Sequence, residues 1–96
     1  MKTEVFAIYD SKADAYLQPF FTANKATAIR SFSDLVNQPN TQFSNHPGDY
    51  VLFHVASWQD DRGIFEPLTA NINLGTGVEF QQPDDYAEAA RLGELA

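Results

Sequence analysis

Four side chains in the N-terminal third of the chain could together hold a single strand of nucleic acid. Cations neutralise phosphates and aromatic rings stack on unpaired bases, and neither contact requires a particular base sequence. The cations are Lys12, Lys25 and Arg30, and Tyr16 lies between the two lysines in sequence. We therefore take Lys12, Tyr16, Lys25 and Arg30 as candidate nucleic-acid-binding residues.

Aromatic residues also build cores, and that alternative applies to most rings of this chain. Thirteen of the 96 residues are aromatic, more than a binding surface needs. The rings that could form a stacking platform are Tyr9, Tyr16, Phe20, Phe21 and Trp58. We assign Phe6, Phe32, Phe53 and Phe65 to the core. Tyr16 and Trp58 lie near predicted strand ends with polar neighbours, and we expect them to be exposed.

Other residues that could do chemistry favour structural interpretations. His54 lies inside an apolar strand and is predicted to be a core histidine with a satisfied hydrogen bond, while His46 precedes a proline in a turn. Asp60-Asp61 fits a solvated turn better than a calcium loop. Gly75-Thr76-Gly77 lacks the lysine and hydroxyl residue of a phosphate-binding loop. The chain has no cysteine, so a thiol nucleophile and a thiolate metal site are excluded. From these interpretations together, we predict no catalytic, cofactor or metal residue and no enzymatic activity.

The charge is distributed unevenly along the chain. Residues 1–33 carry four basic side chains and three carboxylates, whereas the remainder carries two basic side chains and ten carboxylates. A phosphate backbone is repelled by the acidic part, so a nucleic-acid surface is expected in the N-terminal third. The alternative is that the acidic residues only keep a small protein in solution.

The pattern of apolar residues predicts an α+β domain. Strands are expected over 3–9, central in the sheet, and over 15–22. Pro19 cannot donate a ladder hydrogen bond, so the second strand should lie at an edge or carry a bulge there. Asn24 is a suitable N-cap for a helix over 25–37, which Pro39 would end. A polar connection over 41–49 leads to a central strand over 49–59, with both faces largely apolar.

The second half is expected to complete the sheet. A turn at 60–63 leads to a strand over 64–68 with an exposed edge at Pro67. Extended chain continues over 70–80, interrupted at Gly75-Thr76-Gly77, where a bulge or tight bend is expected. The prediction is thus an antiparallel sheet of about five strands with one main helix packed on it, forming a single domain over 1–82. Residues 83–96 form an acidic segment expected to be a short helix or disordered.

A set of short motifs resembles one viral protein family along residues 1 to about 80. They are Tyr9-Asp10-Ser11-Lys12, Pro19-Phe20-Phe21, Arg30-Ser31-Phe32, Asp34, Val36-Asn37, Pro39, Phe43, His46-Pro47, Asp49-Tyr50, Leu52-Phe53, Leu74-Gly75 and Glu79-Phe80. In this order they resemble the small nonstructural protein of the Microviridae, the tailless single-stranded DNA phages, and of their gokushovirus branch in particular. The resemblance implies an accessory protein of single-stranded DNA genome replication or packaging, acting in the host bacterial cytoplasm.

The partners implied by the chain fall into two classes. One is single-stranded DNA, bound weakly through the N-terminal third; the other is a phage or host replication or capsid protein, bound without any contact to DNA. Proline-marked edge strands and more aromatic rings than so small a core hides also predict self-association as a dimer, through either edge pairing or a hydrophobic face. The apolar runs are a few residues long, so we expect no membrane contact, and no cofactor is expected.

We predict that residues 83–96 are dispensable for folding. Their four carboxylates and single arginine accompany few apolar side chains. A chain ending at Gln82 should therefore melt within about 3 °C of the full-length protein, a shift that corresponds to well under 1 kcal/mol for a domain of this size. Thermal unfolding followed by circular dichroism measures the difference, and a much larger drop would contradict the prediction.

Overall fold

A curled antiparallel sheet of five strands carries one main helix on one of its faces in the computed structural model, which describes residues 1–82. The strands are β1 (Lys2–Asp10), β2 (Ala15–Tyr16), β3 (Phe20–Thr22), β4 (Tyr50–Gln59) and β5 (Ile64–Thr76). The helices are α1 (Lys25–Asn37), α2 (Gln42–Asn45) and α3 (Gly77–Phe80), with a 3-10 turn over Pro47–Asp49. The predicted fold class is confirmed. The prediction for residues 83–96 lies outside the described residues.

The two strands predicted to be central are central. β1 pairs with β4, β5 pairs with the other side of β4, and β2 and β3 both pair with the free side of β1. The prediction of one continuous strand over 15–22 is wrong, because the chain leaves the ladder around Pro19, which has no N–H to donate. Between the two short strands, the Leu17 N–H still reaches the Ile8 carbonyl at 2.8 Å.

Helix α1 has the bounds and the N-cap that the sequence predicts. The Asn24 side chain accepts a hydrogen bond from the Thr27 N–H at 2.9 Å, which satisfies one of the unpaired donors at the helix start. Ala28, Phe32 and Val36, spaced four residues apart, form a fully buried stripe along the helix.

The core lies between that stripe and one face of β1 and β4. Phe6, Phe32, Val36 and Leu52 are its largest fully buried side chains. Each such side chain contributes roughly 1.5–3 kcal/mol by leaving water. Ile8 and Tyr50 complete the cluster, and Phe80 packs edge-on against Phe32 with ring centroids 5.9 Å apart.

Two segments are more helical than the sequence indicates. The polar connection over 41–49 contains α2, which starts with a reciprocal capping box between Thr41 and Ser44. The chain predicted to be extended over 70–80 leaves the strand at Thr76, within the predicted interruption, but continues as α3 rather than as extended chain. Phe80 can then turn inward onto α1, where its carbonyl accepts a hydrogen bond from Asn37 Nδ2 at 2.9 Å.

The start of α3 lies against the 3-10 turn, and that contact allows a matched test. A Cβ at Gly77 would lie 2.5 Å from the Pro47 carbonyl oxygen, a backbone atom, whereas a Cβ at Gly48 would make an ordinary 3.6 Å contact with Val78. Gly77→Ala should therefore destabilise the fold by about 1–3 kcal/mol. Gly48→Ala should cost much less, and similar denaturant midpoints for the two variants would contradict this contact.

Candidate nucleic-acid interface

The face of the sheet that α1 does not cover carries two groups of aromatic rings. Residues directly opposite each other on antiparallel strands share a face. The register therefore places on this outer face the residues Val5, Ala7, Tyr9, Tyr16, Phe21, Phe53, Ala56, Trp58 and Phe65. Val5 and Ala7 are buried there although α1 packs on the opposite face.

The first group, here called the tyrosine cluster, consists of Tyr9, Tyr16 and Phe53. The Tyr9 and Tyr16 ring centroids lie 5.0 Å apart, and Phe53 meets Tyr16 edge-on at 5.6 Å. The Tyr16 hydroxyl accepts a hydrogen bond from Asn71 Nδ2 at 3.2 Å. Tyr16 is nevertheless 46% exposed, which confirms the expectation that this ring faces solvent. Phe53, predicted to be a core residue, is half-buried.

The second group, here called the tryptophan cluster, consists of Phe21, Trp58 and Phe65. Trp58 and Phe65 lie 4.6 Å apart, and Phe21 lies 6.0 Å from Phe65. The assignment of Phe65 to the core is wrong, because it is 57% exposed. It pairs with Trp58 next to the β4–β5 turn, on the face opposite α1. Trp58 is half-buried.

Hydrogen bonds fix the turn that presents Lys12. The Asp10 carboxylate accepts from the Lys12 N–H at 3.0 Å and from the Ala13 N–H at 3.3 Å. The Ser11 N–H donates to the Asp49 carbonyl at 2.9 Å. Asp14 has a left-handed backbone, with φ of 53°, and its carboxylate accepts from the Tyr9 hydroxyl. Asp10, Ser11 and Tyr9 of the Tyr-Asp-Ser-Lys motif therefore have structural roles.

The four candidate residues do not form one compact site. Lys12 and Tyr16 are close, since Lys12 lies in the turn that the Asp10–Ala15 pair closes and Tyr16 follows directly after that pair. Lys25 begins α1 just beyond β3, at the other end of the β1 edge. Arg30 is exposed on α1, so the sheet lies between it and Tyr16.

Carboxylates dominate the electrostatics around Lys12. Asp10 and Asp14 flank the same turn, and Asp49 lies next to it, where its carbonyl accepts from the Ser11 N–H. The hydrogen bond to Asp14 raises the pKa of Tyr9, so this phenol stays protonated and keeps donating. Among residues 1–82, no carboxylate oxygen lies within 4 Å of the Lys12 ammonium. Lys12 is thus available to a phosphate, in a neighbourhood whose net charge repels one.

A scan against family models matches residues 3–80 to a family described as phage ORF5 protein. The chain belongs to the phage ORF5 protein family. It is therefore a bacteriophage protein, which is the general part of what the resemblance implied. No curated protein and no solved structure matches the chain. Within residues 1–82, none of the helices is long and apolar enough to cross a membrane.

This ORF5-family chain also contains a polar network that the sequence did not reveal. Glu4 Oε2 accepts from the Ser57 hydroxyl at 2.9 Å and lies 2.9 Å from His54 Nε2. Because serine and histidine both contact the carboxylate rather than each other, this is not the arrangement of a nucleophilic triad. His54 also stacks on Phe6 at 4.8 Å. The predicted core histidine is therefore satisfied, although it is partly exposed.

The network also bears on a metal site. No group of three or more histidine, cysteine or acidic side chains in the described part of the chain could hold a metal ion. Glu4, His54 and Ser57 meet because Val55 is displaced from the β1–β4 ladder, which brings positions 54 and 57 to one face. The strand pattern alone gives no sign of such a bulge.

The pKa of Glu4 predicts how stability depends on pH. Burial acts to raise this pKa, but the hydrogen bonds from His54 and Ser57 outweigh it, and the pKa lies below its ordinary value of 4.5. A depressed carboxyl pKa means that the ionised form stabilises the fold. That contribution is complete above pH 4.5 and is lost as the pH falls through the lowered pKa.

Glu4→Gln should therefore lower the free energy of unfolding by about 1 kcal/mol at pH 7. The difference from the unmodified chain should shrink as the pH falls below 4.5. Urea unfolding at pH 7 and at about pH 3 measures both values. Glu66→Gln, at an exposed carboxylate on β5, is the control. A difference for Glu4→Gln that is independent of pH would contradict the role of the ionised carboxylate.

Proposed function

We propose that this phage accessory protein acts in the replication or packaging of a single-stranded DNA genome, in the host bacterial cytoplasm, by binding single-stranded DNA weakly. Membership of the phage ORF5 family supports the viral role. The resemblance of its motifs to the Microviridae nonstructural protein, particularly in the gokushovirus branch, supports the link to single-stranded DNA. We propose a binding role and no enzymatic activity.

The observation that carries this proposal is the exposed Tyr16 ring beside the turn that presents Lys12. A base could stack on the Tyr16 ring, which is itself packed against the Tyr9 and Phe53 rings of the tyrosine cluster. Stacking on sheet-borne aromatic rings is a general means of holding unpaired bases. A phosphate next to that base would be within reach of the Lys12 side chain.

Lys25 extends the proposed path along the edge of the sheet. Tyr16 pairs with Tyr9 and Thr22 pairs with Glu4, so five residues of β1 separate the two pairs. That separation is roughly 17 Å at strand rise, enough for a few nucleotides. Arg30 lies on the helix side, so it could contribute only where the DNA passes over the edge onto α1. Three phosphate contacts imply weak binding and a logarithmic salt slope of about −2.

The second candidate function is a protein-interaction module that does not touch DNA. The observation that favours it is the presence of Asp10 and Asp14 in the same turn as Lys12, in a chain of net charge −7. Such a surface suits a basic partner better than a phosphate backbone. A phage or host replication or capsid protein with a basic surface fits this alternative.

Direct binding can be tested by fluorescence anisotropy with labelled single-stranded DNA at two salt concentrations. Tyr16→Ala should weaken binding about tenfold, the usual scale for one stacked base. Lys12→Ala and Lys25→Ala should each weaken binding and make the salt slope shallower. Arg62→Ala, at an exposed cation in the β4–β5 turn, and Phe65→Ala, at a comparably exposed ring, are the matched controls and should change little.

Other outcomes would favour the second function. Absence of binding at low salt, or equal losses for the candidate and control variants, would count against direct DNA contact. A pull-down from infected cells, with and without nuclease, then distinguishes the classes. Partners that survive nuclease contact the protein directly, whereas partners lost with it are bridged by DNA.

A further inference from the structure

The tryptophan cluster is a compact apolar surface that is not covered by another helix or strand of residues 1–82. Phe21 is 48% exposed and Phe65 is 57% exposed, and both pack on Trp58. Among residues 1–82, α1 packs on the other face of the sheet, so none of the elements forms a second layer over these rings. Three clustered rings on an uncovered sheet face are a typical mark of an interaction site.

The edges of the sheet are poorly suited to pairing with another chain. On one side the edge is broken into β2 and β3 around Pro19. On the other side, β5 contains Pro67, and the four residues 68–71 stand opposite the single residue Val55 in the β4 ladder. Interrupted edges, prolines and bulges all disfavour strand addition. Self-association by edge pairing is therefore disfavoured, whereas the outer face offers exposed aromatic rings for a face-to-face contact.

The charges around the tryptophan cluster are balanced, unlike those of the whole chain. The cations are the Met1 ammonium and Arg62, and the anions are Asp60 and Asp61. Asp60, Asp61 and Arg62 lie in the β4–β5 turn, next to the Trp58–Phe65 pair, and the Met1 ammonium pairs with Asp60 there. An aromatic centre with a rim of two charges of each sign can be complementary to itself across a two-fold axis.

We infer that the tryptophan cluster binds a second copy of this chain, face to face about a two-fold axis. The cations at the rim of one copy then lie near the carboxylates of the other. The more acidic regions of this chain, whose net charge is −7, would instead repel each other in such a contact. Nucleic acid is a poorer occupant, because its phosphates would meet as many carboxylates as cations. The tyrosine cluster, at the other end of β1, remains outside the contact.

Sedimentation equilibrium from about 1 to about 100 µM, the range in which weak dimers dissociate, tests this inference. The unmodified chain should dimerise, and Phe65→Ser should raise the dissociation constant at least about tenfold, the effect expected of an aromatic residue central to an interface. Tyr16→Ser is the matched control, since Tyr16 is a similarly exposed ring of the same face, and it should leave dimerisation unchanged.

A second measurement requires no variant, because Trp58 is the only tryptophan of the chain. Its emission should shift to shorter wavelength as the concentration rises through the dissociation constant, since dimerisation removes water from the ring. A monomer at about 100 µM, above the range for weak dimers, overturns the inference. Dimerisation lost equally in Tyr16→Ser, or retained in Phe65→Ser, also overturns it. DNA binding is tested at Tyr16 and Lys12, so either proposal can fail without the other.

Discussion

The buried cluster that Phe32 of α1 shares with Phe6 and Leu52 of the sheet holds α1 to one face, and the rest of the structure depends on this one-sided burial. All three side chains are fully buried. Truncating a phenylalanine in such a position typically costs about 3–5 kcal/mol, a large part of the stability of a small domain. Because the sheet carries one main helix, no second helix of comparable length covers its opposite face within residues 1–82. The aromatic rings of that face therefore pack laterally on one another, beside buried Val5 and Ala7.

The local structure that presents Lys12 also limits how strongly it can attract DNA. Asp10 and Asp14 hold the turn through hydrogen bonds, and the same carboxylates place negative charge near the ammonium. At physiological salt the Debye length is about 8 Å, so these neighbours matter more than distant acidic residues. A turn fixed in this way favours a modest contact that depends on stacking, rather than a strong electrostatic one.

The sequence predicted the elements whose signals are local. The Asn24 cap and the four-residue spacing of Ala28, Phe32 and Val36 define α1 within the segment itself, and β4 is a long apolar run with a turn after it. The features that sequence reasoning missed depend on register. Glu4 meets His54 and Ser57 only through the displacement of Val55, and Phe65 lies on the outer face, away from α1, through its pairing with Trp58. Neither fact is present in the pattern of β4 or β5 alone.

The candidate site shows the same division between local and long-range information. That Tyr16 is exposed could be predicted from its polar neighbours, and that Lys12 lies in a turn could be predicted from Asp10 and Ser11. The separation of Arg30 from Tyr16 could not, since it depends on which face α1 covers. The two aromatic clusters likewise share one face and similar ring exposure, yet their surroundings differ. Carboxylates crowd the turn beside the tyrosine cluster, whereas the turn beside the tryptophan cluster carries charges of both signs. Ring exposure alone therefore does not identify a partner, and the charges that the fold brings beside each cluster distinguish the two.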